Sequence, residues 1–333
     1  MFFRQKPVGS DTGFRILPWL SAAVFGLGLC VVGPSVQAGS DTFLNSKPLT
    51  VLLRGDAPTE LAPHGQGNVY APEIVRDRGL WRMYYGGQGK DGHDRIHLAE
   101  SRDGKAWVKR GVVLDRGEAN HVNDPTLVRV GRVWWMFYTV AEKAEQDEIA
   151  AATSIDGLKW EKRGVVLGRG EPTSWDSLKV GRPSVLHEKG KFRMWFDGQP
   201  TARAAAGNPV ADEVRIQGRA VGYAESRDGL EWKRHPLPVF RNGAGAVSVS
   251  RRPGEWVMLI ESGTGVRFAV SRDGISWSDR GPLLLLSGDV DDRFGQVTPF
   301  LWTHLGRTEV VFGAAHRRTW DGNSIASTTV SIP

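Results

Sequence analysis

Two carboxylates stand beside prolines in short strand-like runs: Asp124 in His121-Val122-Asn123-Asp124-Pro125 and Glu73 in Tyr70-Ala71-Pro72-Glu73. Carboxyl groups clustered around a narrow, partly dry channel do acid–base work. Repulsion and desolvation raise one pKa while a neighbour stays ionised. Cleavage of a glycosidic bond uses such a pair, one member protonated and one charged. Asp197 ends the run Phe192-Arg193-Met194-Trp195-Phe196-Asp197, and Glu261 ends Trp256-Val257-Met258-Leu259-Ile260-Glu261; both are further catalytic candidates. Arg182 precedes Pro183 as Asp124 precedes Pro125. Its planar fork suits a substrate carboxylate or phosphate, and equally the neutralisation of Glu73 and Asp124. Asn123, His316, and Trp175 with Asp176 in Ser174-Trp175-Asp176-Ser177 complete the set as substrate-binding candidates. Trp175 offers an aromatic face on which a ring could stack. No ligand spacing for a metal is visible, and no cofactor is expected.

A repeat positions these residues. The phrase Ser-x-Asp-Gly-x-x-Trp starts at Ser101, Ser154, Ser226 and Ser271, each time between two strand-like runs. Asp-Gly between such runs marks a hairpin, because glycine accepts the positive φ of a tight turn. Upstream of each hairpin comes a first strand, with a proline near its start in three units (YAPEIV, NDPTLV, GRPSVL), then an aromatic second strand (WRMYYGG, VWWMFYT, FRMWFDG). A fourth unit has AVSVSR and WVMLIES, and a fifth has VTPFLW, EVVFGAA and one more strand. The fifth lacks a last strand, which PLTVLLRG at Pro48 supplies from the other end of the chain. The prediction is an all-β chain: a five-bladed β-propeller of four-stranded antiparallel blades, the last closed by the N-terminal strand. In this topology the aspartates of the hairpins (Asp103, Asp156, Asp228, Asp273) are turn residues. They lie on the face opposite the long loops, the largest of which runs from Gln199 to Gly218.

The five units, the proline-bearing first strands, the RMYY and RMWF second strands and the hairpin phrase together resemble the furanosidase-type five-bladed propeller superfamily. Glycoside hydrolase families 32, 43, 62 and 68 belong to it, with family 130 as a relative. The resemblance covers roughly residues 47–333. It implies acidic residues where the first strands of successive blades open into the channel. Asp124 matches the acid of blade two. Blade one has Ala71 before its proline, with Glu73 two residues on as a substitute from the same strand face. Blade three has Arg182 where the resemblance implies a general acid.

The N-terminus reads as a separate element. Arg4, Lys6 and Arg15 precede an apolar stretch over 16–32, and Val36-Gln37-Ala38 suits cleavage. Residues 1–38 are therefore expected to be a signal peptide cut after Ala38, 39–46 a short linker and 47–333 the propeller, secreted or periplasmic. An uncleaved anchor is the rival reading; after cleavage no stable membrane insertion is expected. Cys30 is the only cysteine and falls within the leader, which leaves no disulfide framework. The formal charge of +6 is dispersed among acids, which argues against nucleic acid as a partner. A monomeric glycosidase on a poly- or oligosaccharide is the favoured function. The alternative is a non-catalytic glycan-binding or polysaccharide-assembly propeller, consistent with the departures at Ala71 and Arg182.

Overall fold

The computed structural model describes residues 48–332 apart from 144–145, 289 and 320. The expected signal peptide, its cleavage site and the linker lie outside the described residues. Five four-stranded antiparallel sheets follow one another as the blades of a propeller. Their first strands are Val69–Asp77, His121–Val130, Lys179–Glu188, Val247–Arg252 and Gly295–His304. The strand Thr50–Leu53 pairs with Asn323–Thr329 and so closes blade five, as the sequence predicts. Closure removes sheet edges that would otherwise pair with other chains. One cluster of buried apolar side chains lies between each pair of neighbouring blades.

Blade three departs from the expected pattern at both ends of its outer half. Its fourth strand keeps only Lys233–Arg234, because Pro236 and Pro238 follow and give no N–H to a ladder. Its long loop folds into two short helices, Ala202–Gly207 and Pro209–Gln217. Thr201 and Asn208 cap their first turns with side-chain oxygens.

The hairpins are fasteners. In the first, Ser101 Oγ accepts from Gly104 N–H at 2.9 Å, and Asp103 Oδ1 accepts from the N–H groups of Lys105 and Ala106 at 2.8 and 3.0 Å. The other three repeat these bonds. The turn then receives the preceding blade: Tyr84 Oη donates to Gly157 O and Trp195 Nε1 to Gly274 O, both at 2.7 Å. Asp228→Ala should accordingly lower Tm by roughly 3 °C while leaving any glycan activity unchanged. Thermal denaturation beside a glycan assay checks both halves.

Channel-side geometry is set by a backbone device that the proline positions only hint at. In blades one, two, three and five the residue before the proline has φ of 52°, 50°, 46° and 48° at Ala71, Asp124, Arg182 and Thr298. The register slips at each of these points, so that residue and proline bulge out of the ladder. Blade four has no proline there and keeps its register.

Candidate functional site

Ala71, Asp124, Arg182 and Thr298 converge with Ala246 and Val247 of blade four around a channel of about 340 Å³, measured with the solvent at its mouth. Non-glycine residues in the left-handed region are uncommon, and such positions concentrate where function fixes a side chain. The N–H groups of three of them are caught by neighbouring blades. Ala71 donates to Thr298 Oγ1 at 2.9 Å, Arg182 to Thr139 Oγ1 at 2.8 Å and Thr298 to Glu261 Oε2 at 2.8 Å.

Asp124 is buried on this ring. Burial pushes its carboxyl up to about 6, against the pull of the Arg182 guanidinium. Three titratable groups that the sequence reading missed surround it. Asp94 and Asp147 open the third strands of blades one and two, and His121 opens the first strand of blade two. Burial raises Asp94 to about 6 as well, opposed by His121 and reinforced by the negative charge of Asp124. Asp147 lies 3.4 Å from His121 Nε2. Burial alone would raise Asp147, but the contact with His121 and the field of Arg182 lower it. Burial likewise opposes a charged His121, but Asp147, Asp94 and Asp124 outweigh it and raise the imidazole pKa. Third strands begin on the same face as first strands, so the topology already pointed to Asp94 and Asp147. Arg219, just before the third strand of blade three, carries the same signal.

Asn123 Nδ2 donates to Tyr70 Oη at 2.9 Å. Burial drives the Tyr70 phenol well up, with Asp94 and Asp124 adding to the effect. Oδ1 of Asp94, Asn123 and Asp197 are buried and accept no hydrogen bond within the protein. All three are acceptors, which suits a ligand rich in hydroxyl donors.

Arg182 does not pair with Glu73. Its Nε and Nη2 donate to Asp197 Oδ2 at 3.0 and 2.6 Å, and Arg219 Nη1 donates to the same oxygen at 2.6 Å. Burial raises the Asp197 carboxyl toward about 7 while Arg182 opposes it. Glu261 is raised by burial and commits Oε2 to the Thr298 N–H. It thereby holds a channel residue in place.

Glu73 faces the channel below the ring, but the bulge breaks the two-residue alternation that aligned it with Ala71. Its Oε1 accepts from Leu127 N–H of the next blade at 3.3 Å. Thr126 Oγ1 and Ser184 Oγ do the same for Val185 and Val249 at the equivalent places in blades two and three. Glu73 therefore fills a position whose shared task is to fasten the next blade. Burial raises its carboxyl to about 8. A carboxyl whose pKa rises on folding favours the folded state at low pH and loses that contribution as pH climbs through the folded value. Tm should thus fall between about pH 4 and 8, and Glu73→Gln should flatten the fall and gain about 2 °C or more above pH 8. Calorimetry across that range checks the sign.

Two substrate-binding expectations are corrected. Trp175 is 2% exposed and stacks on Phe196, centroids 6.0 Å apart, so its face is used inside the protein. Asp176 is equally buried; it pairs with Arg234 and accepts from Ser174 Oγ at 2.6 Å. Both fasten the loop into blade three, the ion pair reaching Arg234 at the end of the short fourth strand. His316 directly follows the second strand of blade five, which ends at Ala315; it is half-buried, with its pKa lowered by burial.

No family model matches the chain. It is 32% identical over 151 residues to an uncharacterized protein of Mycobacterium tuberculosis, a match covering 42% of this chain and 50% of the relative. A 1,2-beta-oligomannan phosphorylase of Thermoanaerobacter sp. is 26% identical over 187 residues, 48% of this chain and 62% of that one. The chain thus spans about half the length of the first of these curated relatives. Among solved structures, a complex of BT0996 with RGII superposes with a TM-score of 0.68 at 22% identity, covering 85% of this chain and 91% of that one. A family 117 glycoside hydrolase of Zobellia galactanivorans gives 0.62 at 14% identity, covering 84% and 89%. A thermostable family-43 glycoside hydrolase gives 0.61 at 14% identity, covering 80% and 90%. In fold, the chain is a five-bladed propeller like those of glycoside hydrolases.

Proposed function

We propose that this protein is a glycoside hydrolase acting outside the cytoplasm on a poly- or oligosaccharide held over the channel mouth. One observation carries the reading: Asp124 and Asp94 are both buried, burial pushes each carboxyl up to about 6, and the charge of Asp124 adds to the rise at Asp94. In this reading one of the two carboxyls is protonated and the other ionised near pH 6, giving an acid and a base at once. Asp147 and His121 stand in contact next to them, the imidazole pKa raised and the carboxyl lowered. The unpaired acceptors Asp94 Oδ1, Asn123 Oδ1 and Asp197 Oδ1 suit sugar hydroxyls. The propeller neighbours named as glycoside hydrolases, and the BT0996 complex with RGII, support a carbohydrate ligand.

A second reading, a glycan-binding propeller without catalysis, is favoured by the carboxylate of Asp197. That group is tied by two guanidiniums, and blade one offers only Ala71 at its ring position. A screen of bacterial and plant polysaccharides separates the two. Release of oligosaccharide by the protein from Gly39 onward supports the enzyme. Binding with no release across the panel would replace it with the second reading.

A further inference from the structure

Tyr70 precedes Ala71 near the mouth end of the first strand of blade one. It pairs with Gly86 of the second strand, and Gly86 pairs with Ile96 of the third. Partners across a ladder share a sheet face, and so do residues two apart on one strand. Asp94, two residues before Ile96, therefore lies on the same face as Tyr70. Gly86 puts no side chain between them. A Cβ there would stand 3.3 Å from Cε2 and Cζ of the Tyr70 ring and 3.5 Å from Asn123 Cβ. The ring thus lies over the second strand, on the side turned to blade two. Blades two and three carry Thr139 and Asp197 at the corresponding place. The glycine of blade one makes room for the phenol.

Asn123 Nδ2 donates to Tyr70 Oη at 2.9 Å, which occupies a lone pair and leaves the phenolic proton to be donated elsewhere. Asp94 is its acceptor: the phenol favours the charged carboxylate, and that charge in turn helps to keep the proton on the phenol. Asp94 also faces His93 beside it and His121 and Asp124 of blade two, with Asp147 behind His121. The histidines, when charged, favour ionised Asp94, and Asp124 opposes it. Asp124 has the Thr139 hydroxyl as its donor; Arg182 and His121 favour its charged form and Asp147 opposes it. Two differences separate the carboxyls. A phenol, with an ordinary pKa of about 10, is a stronger donor than an aliphatic hydroxyl. Arg182 is already bonded twice to Asp197.

We propose that Tyr70 is a positioning residue that holds Asp94 as the ionised member of the pair and so leaves the proton on Asp124. The division of roles rests on the hydrolase reading, whereas the action of Tyr70 on Asp94 is measured without substrate.

All strands of the closed ring lie between Thr50 and Thr329, so a chain starting at Gly39 contains the whole fold. Carbon-13 carboxyl NMR of that chain follows the titration of Asp94, identified by the signal lost in Asp94→Asn. Tyr70→Phe keeps the ring and removes the proton, so Asp94 should bind its own proton about tenfold more tightly and titrate about one pH unit higher. Gly86→Ala keeps the hydroxyl but crowds the ring, and should move the midpoint the same way by less. On a glycan that the wild type cleaves, the acid limb of kcat/KM should rise with the midpoint in Tyr70→Phe. Release near pH 5 then falls about tenfold, with KM and the basic limb little changed. Unchanged circular dichroism and Tm show that the variants are folded. An Asp94 midpoint in Tyr70→Phe equal to that of the wild type would overturn the proposal. So would movement of the basic limb in place of the acid one, which would make Asp94 the proton donor. A raised midpoint with no glycan released by the wild type would support the action of Tyr70 on Asp94 and remove the hydrolase reading instead.

Discussion

Asp124→Asn is expected to keep the propeller folded and to lower glycan release at least about 1000-fold. Asparagine tolerates the left-handed backbone that Asp124 adopts at φ 50° and preserves its volume, so loss of release would report on charge and proton alone. The wild type should show kcat/KM peaking near pH 6 and falling on both sides. Below that value both members of the Asp94–Asp124 pair are protonated, and above it neither is. Asp94→Asn should remove one limb of the profile along with most of the rate. Release by Asp124→Asn within about tenfold of wild type would sink the assignment of the channel carboxylates.

Arg182→Leu should cost about 3 kcal/mol of stability by urea denaturation. Its guanidinium is 16% exposed and donates twice to Asp197, whose carboxylate is 2% exposed. Removing the arginine leaves a buried anion with only Arg219 to answer it. The paired substitution Arg182→Leu with Asp197→Leu should recover much of the loss, because it removes the buried charge as well as its partner. A double variant no more stable than Arg182→Leu alone would show that the arginine acts by packing and not by neutralising Asp197. The cycle also bears on the second functional reading, since it measures how far the Arg182–Asp197 pair serves the fold.

The blade order, the closing strand and the roles of Asp103, Asp156, Asp228 and Asp273 were legible because each rests on a local rule repeated several times. An Asp-Gly turn looks the same at Ser101 and Ser271, and four copies fix the register of everything between. The site was legible only in outline. Asp124 could be found from its proline, and Arg182 from the same position one blade later. The partner of Arg182 could not, because the pairing with Asp197 depends on a bulge that rotates Arg182 off the strand alternation. The same bulge removed the basis for treating Glu73 as a stand-in at Ala71. Trp175 failed for a different reason: an aromatic side chain in a loop gives no sign of which way it faces until the packing partner, Phe196, is placed. Asp94 and Asp147 were within reach, since the strand directions that put first-strand starts at the channel mouth put third-strand starts there too.

The bulge before each proline fixes a main-chain shape that is nearly the same whether the residue is alanine, aspartate, arginine or threonine. Each of these positions thus works as a socket. The backbone, tied to the neighbouring blade by its own N–H at Ala71, Arg182 and Thr298, decides where the side chain projects, and the residue type decides only what chemistry arrives there. Exchanging the occupant leaves this main-chain shape in place, so the chemistry presented at the channel can change one residue at a time. Alanine and arginine in two of the sockets show how widely the side chain can differ on one main-chain shape.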